Sequence, residues 1–97
     1  MNISYVYILT NKANTLFYIG ISGNIKTRLF QHRKHLIKGF TDKYNITKVI
    51  YIESFNSIIE AIEREKQLKG WKREKKIELI KTLNPNFKDL YEDIMNC

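Results

Sequence analysis

Apolar side chains along this chain recur first at a spacing of two and later at three to four, and the changes of period mark out its elements. Residues 4–10, SYVYILT, and 16–21, LFYIGI, are dense in aromatic and β-branched types, and the polar NKANT between them reads as a hairpin connection. From Ile25 to about Lys38 the pattern turns helical: Asn24 is placed to cap the first turn, Ile25, Leu29 and Leu36 share one arc, and Gly39 is placed to end it. GFTDKYN reads as a loop, and TKVIYIES at 47–54 alternates as a third strand. Ser57 followed by Glu60 has capping-box spacing and opens a helix to Lys69, with Gly70 as its stop. Residues 72–83 are helical again, and Asn84-Pro85 suits the N-cap and first position of a short last helix through FKDLYEDIM. The order β-β-α-β-α-α-α, with too few strands for a barrel, predicts an α+β fold: a small antiparallel sheet covered by helices.

One position breaks the amphipathic pattern of helix 57–69. Ile58, Ala61, Ile62 and Leu68 fall on one arc with Glu60, Glu63 and Gln67 opposite, yet Glu65 lies inside the apolar arc. An ionised carboxylate buried without a partner costs several kcal/mol, so either a cation meets it or it faces a cleft. A salt bridge and a metal-ligand role both satisfy that condition. On helix 25–38, Arg28, His32 and His35 follow i, i+4, i+7 spacing and form a row beside the apolar arc. A guanidinium flanked by imidazoles suits phosphate, since arginine offers a bidentate fork and histidine transfers protons near neutral pH. Two imidazoles alone are too few for zinc.

Pairing Thr10 with Phe17 across the hairpin sets Tyr7 opposite Gly20 and puts Tyr7 and Tyr18 on one sheet face, with open space above Tyr7; an even register would part them. A phenol with an ordinary pKa of about 10 is a poor base unless a cation lowers it.

The 97 residues suit one domain, 1–97, and the hydrophobic and charged fractions of 43% and 28% argue against disorder. No apolar run is long enough for a membrane span and no leader pattern opens the chain, so the expectation is a cytoplasmic protein that does not enter a membrane. The lone Cys97 supports neither a disulfide framework nor a cysteine zinc site. Net charge is +7, and all of the excess lies in residues 1–50, which hold eight basic side chains and one acid, Asp42; residues 51–97 balance nine against nine. A segregated basic surface attracts polyanions, of which phosphate backbones are the commonest.

Tyr5-Val6-Tyr7 and Tyr18-Ile19-Gly20, followed by Arg28 and His32 on a helix and by Glu65 in EAIEREKQLK, resemble the GIY-YIG nuclease superfamily over nearly the whole chain. The short length, the segment Gly39-Phe40-Thr41 to Tyr44 and the ending Asn84-Pro85 to Asp89-Leu90 look like its small stand-alone bacterial endonuclease group. The resemblance implies a three-stranded antiparallel sheet flanked by helices and phosphodiester hydrolysis assisted by one divalent cation, Mg²⁺ or Mn²⁺. Carried over, Tyr7 and Tyr18 match the motif tyrosines, Arg28 the catalytic arginine, His32 the helix position often held by His or Tyr, and Glu65 the metal-binding glutamate. Tyr5 stands where the motif has Gly, and Ser22 lies where some relatives carry Lys.

In that reading Tyr7 or Tyr18 takes a proton from the attacking water, Arg28 neutralises charge on the phosphoryl oxygens, and His32 orients the water or transfers a proton. Expected nucleic-acid contacts are Gly20, Lys26, Arg33, Lys34, Lys38 and Lys43, joined in the basic half by Lys12 and Lys48, with Trp71 packing into the core. DNA is expected rather than RNA, selected by structure, with low sequence specificity, or through a protein partner. The rival reading is a nucleic-acid-binding adaptor of the same fold with little or no turnover.

Overall fold

Strands β1 (Ser4–Thr10) and β2 (Phe17–Ser22) form the expected hairpin in the computed structural model, which describes residues 2–97. Their register pairs Thr10 with Phe17 and Tyr7 with Gly20, as the odd-sum pairing requires. In the connecting turn the Asn11 side chain accepts from the Thr15 and Leu16 amides, and Asn14 takes a left-handed φ of 57°. Strand β3 (Lys48–Phe55) pairs antiparallel with the other side of β1, giving the sheet order β2-β1-β3. The register of β1 with β3 shifts between Ile8 and Leu9, so Ile50 is an extra residue on β3. That bulge lets Ile50 and the adjacent Tyr51 join the same core cluster.

Helices α1 (Ile25–Arg33), α2 (Phe40–Lys43), α3 (Ile58–Gly70), α4 (Arg73–Leu83) and α5 (Tyr91–Met95) cover both faces of this sheet. Val6, Ile8, Ile19 and Ile50 pack with Ala61 and Leu68 of α3 and Ile80 of α4. Tyr7, Leu9 and Val49 pack with Ile25 and Leu29 of α1, with Leu90, Tyr91 and Ile94 closing over them.

Four local expectations are corrected. Helix α1 ends at Arg33, five residues early: the His35 amide donates to the His32 carbonyl (3.1 Å) and the Leu36 amide to the Gln31 carbonyl (2.8 Å), with His35 at φ 58°. This is a Schellman turn closed by a histidine instead of a glycine, and it leaves Leu36 exposed. Gly39 then opens the short α2 at φ 128° instead of closing α1, so part of the expected loop is helical. Ser57 does cap α3, but by accepting from the Ile59 amide, and Gly70 is the helix's last residue, with Trp71 as its cap. Asn84 ends α4 instead of starting the next helix. Its buried amide donates to the Ile50 and Lys88 carbonyls and accepts from the Lys88 amide, which pins residues 84–88 to β3.

Candidate active site

Tyr7 stands on the central strand, and its ring has to cross β2 to reach anything beyond the sheet. Gly20 makes that crossing possible. A Cβ built there would lie 2.4 Å from Tyr7 Cζ and Oη and 2.8 Å from Cε2. The space above Tyr7 is therefore filled by its own ring, and Gly20 is buried beneath it instead of lining a nucleic-acid surface as expected. The phenol arrives 3.0 Å from His32 Nε2. Both residues are nearly sealed, at 1% and 4% exposure. Tyr18 lies on the same face, its ring 6.5 Å from that of Tyr7 and 5.7 Å from the His32 imidazole, so the two tyrosines and the histidine form one cluster.

The other imidazole nitrogen, Nδ1, is 3.2 Å from Thr41 Oγ1, and Thr41 is itself buried. A neutral imidazole has one donor and one acceptor nitrogen, so Tyr7, His32 and Thr41 form a single hydrogen-bonded line. Sequence reading passed over Thr41 because it lay in a segment read as loop. The signal was present: a threonine two residues past a glycine, between Phe40 and Tyr44.

Arg28 lies one turn before His32 on α1, half-buried, with no carboxylate of the described residues within salt-bridge distance. Its charge acts on both neighbours. Burial, with Arg28 adding to it, brings the His32 pKa down from 6.5 to about 4. Burial also pushes the Tyr7 phenol well above the ordinary phenol range; Tyr18 adds to the rise, Arg28 opposes it, and Glu65 adds again. Near neutral pH the pair is thus a protonated phenol against an uncharged imidazole. His35 does not continue the row. Left-handed and off the helix, it sits 3.0 Å from Asp42.

Glu65 stands on α3, near enough for its charge to add to the rise at Tyr7. On that helix only Ala61 and Leu68 are buried, while Ile58 and Ile62 of the predicted arc are exposed, so the apolar stripe is narrower than the pattern suggested. Arg64 and Glu65 lie on its two flanks. Arg64 turns to Glu53 of β3 through paired bonds of 2.9 Å. Glu65 keeps a side-chain exposure of 17% and meets Lys69 at 3.5 Å, one turn on. Of the two arrangements that the wheel leaves open, a cation or a cleft, the cation is present in Lys69.

The residues present suit a hydrated divalent ion. Among the described residues no three His, Cys, Asp or Glu side chains converge, so the protein offers the single partly exposed Glu65 carboxylate beside the cluster. One carboxylate with water and substrate phosphate filling the remaining positions is a common way to hold magnesium. Glu53 is occupied elsewhere, since its two oxygens accept from Arg64 and Tyr51, and these bonds outweigh burial and hold its pKa below the ordinary carboxylate value.

The expected phosphate contacts divide. Lys26, Lys34, Lys38 and Lys43 are exposed. Arg33 is not free to bind phosphate: Nη2 donates to Asp89 at 2.6 Å and the guanidinium lies 3.9 Å over the Tyr91 ring. Asp89 also accepts from the Val49 and Tyr91 amides, so Arg33 ties the chain's last segment to α1 and β3. Trp71 packs against the core with Lys75 and Arg64 over its ring. No helix among the described residues is long and apolar enough to cross a membrane.

The lowered His32 pKa has a consequence for stability. Between the unfolded value of 6.5 and the folded value of about 4, the unfolded chain binds a proton at His32 that the folded chain does not. Stability should therefore fall as pH drops through that window. Urea unfolding of the parent and of His32→Gln at about pH 7 and about pH 4.5 should show the parent losing on the order of 2 kcal/mol more than the variant. Equal losses would mean that His32 titrates normally.

Residues 3–78 match the family model of the GIY-YIG catalytic domain. The chain is 36% identical over 83 residues to a UPF0213 protein of Syntrophus aciditrophicus, covering 84% of this chain and 93% of that one. It is 31% identical over 80 residues to a UPF0213 protein of Staphylococcus saprophyticus, covering 82% and 96%. In fold it is similar to the solution structure of a UPF0213 protein from Bacillus halodurans, with a TM-score of 0.59, 23% identity, and coverage of 93% of this chain and 95% of that one.

Proposed function

We infer, because this chain belongs to the GIY-YIG catalytic-domain family and to the UPF0213 proteins, that it is a divalent-metal-dependent endonuclease hydrolysing phosphodiester bonds in DNA. Substrate is selected by structure more than by sequence. One observation carries the reading: a half-buried guanidinium, Arg28, with no carboxylate partner among the described residues, beside a phenol and an uncharged imidazole bonded to each other. Residues past 78 belong to the same working unit, since Asn84 and Asp89 fasten them to β3.

The raised proton affinity of Tyr7 makes a free phenolate costly, so Tyr7 acts as a relay. Its oxygen accepts the proton of the attacking water while its own proton passes to His32 Nε2. The tautomer this transfer needs has Nδ1–H donating to Thr41 Oγ1 and Nε2 left as the acceptor, and the Thr41 hydroxyl can accept in that way. The low pKa of His32 keeps that nitrogen unprotonated above about pH 4, and an arriving phosphate, being negative, raises its proton affinity when the transfer occurs. Arg28 faces the charge that gathers on the phosphoryl oxygens, and Tyr18 lines the same cluster. Glu65 would hold one Mg²⁺ or Mn²⁺, which when bound would supply Lewis-acid stabilisation to the phosphate.

The test is cleavage of a labelled panel of single strand, duplex, flap and junction DNA in Mn²⁺ and in chelator. Products should form only with the metal. Mobility shifts that are equal in both conditions, with no product from any member, would identify a binding adaptor instead.

A further inference from the structure

The short helix α2 turns only part of its surface to the protein. Thr41 is buried against His32, and Asp42 is taken up by His35 at 3.0 Å and Lys38 at 3.9 Å. Phe40 and Tyr44, one turn apart, belong to neither core cluster and are 47% and 42% exposed. Their rings meet at a tilt, with centroids 5.0 Å apart and 57° between planes, and the Lys43 ammonium lies 5.3 Å above Tyr44. Folding therefore leaves nearly half of each aromatic residue in water and gives neither a place in a core cluster. Around the pair the segment 34–44 carries Lys34, Lys38 and Lys43 against the single acid Asp42, which Lys38 approaches at 3.9 Å, so Lys34 and Lys43 are left as the positive excess. The pair is also close to the reacting groups, since Phe40 immediately precedes the threonine that touches His32.

Aromatic faces beside lysines match one chemistry well: a nucleobase stacks on the ring while its flanking phosphates meet the ammonium groups. Base faces inside a paired duplex are covered by their neighbours, so only an unpaired base can use such a platform. We propose that Phe40 and Tyr44 hold an unpaired base next to the phosphate cut at the Tyr7–His32 cluster, so the substrate is DNA with a single-stranded nucleotide at the cleavage position. The proposal rests on the nuclease reading and names its substrate class.

The experiment compares a fluorescent duplex containing a short unpaired gap with the same duplex fully paired. Affinity of the full chain is measured by anisotropy in chelator, and cut sites are then mapped in Mn²⁺. The parent should bind the gapped DNA about tenfold or more tighter than the paired one and cut at the gap. Phe40→Ala with Tyr44→Ala should remove the preference while keeping affinity for paired duplex, which doubles as the check that the variant folds. Phe40→Tyr with Tyr44→Phe, which keeps both rings, should retain it. An unchanged preference in the alanine variant, or no preference in the parent, overturns the platform. Cleavage that persists in that case leaves the nuclease reading standing. Loss of preference in the alanine variant, without cleavage by the parent in Mn²⁺, upholds the base site and rejects the nuclease reading.

Discussion

Arg28→Ala is expected to lower the single-turnover cleavage rate of the best DNA substrate by about a hundred- to a thousandfold, with little change in the unfolding midpoint. The stability side follows from the geometry: Arg28 has no salt-bridge partner among the described residues, so its removal breaks no ion pair. The same change relieves the charge that helps depress His32, so the imidazole pKa, followed by NMR, should move back toward 6.5. Glu65→Gln should give a loss of similar size, because it keeps the shape of the side chain but removes the charge that holds a divalent ion. Raising Mn²⁺ should recover part of that loss if the amide oxygen still ligates weakly, and should do nothing for Arg28→Ala. Parent-like rates in both variants would reject the mechanism.

Gly20→Ala is expected to be nearly as damaging, although glycine carries no chemistry of its own. The added methyl would sit 2.4 Å from Tyr7 Cζ and Oη, inside any permitted contact, and the ring is sealed at 1% exposure. Either β2 or the ring has to shift, which should cost about 1–3 kcal/mol of stability and carry the phenol off His32 Nε2. Displacements of this order cost about a hundredfold in rate. In a Tyr7→Ala background the same methyl meets no ring, so a double-mutant cycle by urea unfolding should show the Gly20→Ala penalty largely vanish. A penalty of equal size in both backgrounds would place the strain in β2 itself.

Legibility followed the range of the forces involved. Alternation and the odd-sum pairing were enough for the hairpin, and the capping residues Asn24 and Ser57 were visible as local polar signals at helix starts. Glu65 stood out because it violated a wheel, and a violation in a short amphipathic helix has few explanations. The errors lay where one local signal had two meanings. Gly39 suits a helix end and a helix start equally well, and His35, not a glycine, closed α1. Asn84-Pro85 reads as a helix start, yet the amide of Asn84 is occupied by the carbonyl of Ile50 on a distant strand. Arg33 looked like a surface cation until Asp89, far along the chain, claimed it.

Tyr7, Tyr18, Arg28, His32 and Glu65 came together as a chemical set only through the family resemblance, while the amino-acid order by itself determined the strand and helix periods and the basic first half. These depend on side-chain spacing within one element or one tight turn. Tertiary structure decided the rest: that Tyr7 bonds His32 across Gly20, that Thr41 completes the line, that Arg28 has no carboxylate partner among the described residues while Arg33 has one, and that Phe40 and Tyr44 stay partly exposed outside both core clusters. Each of these is a meeting between groups on different elements, and its energy comes from burial and from partners brought together only when the sheet is covered.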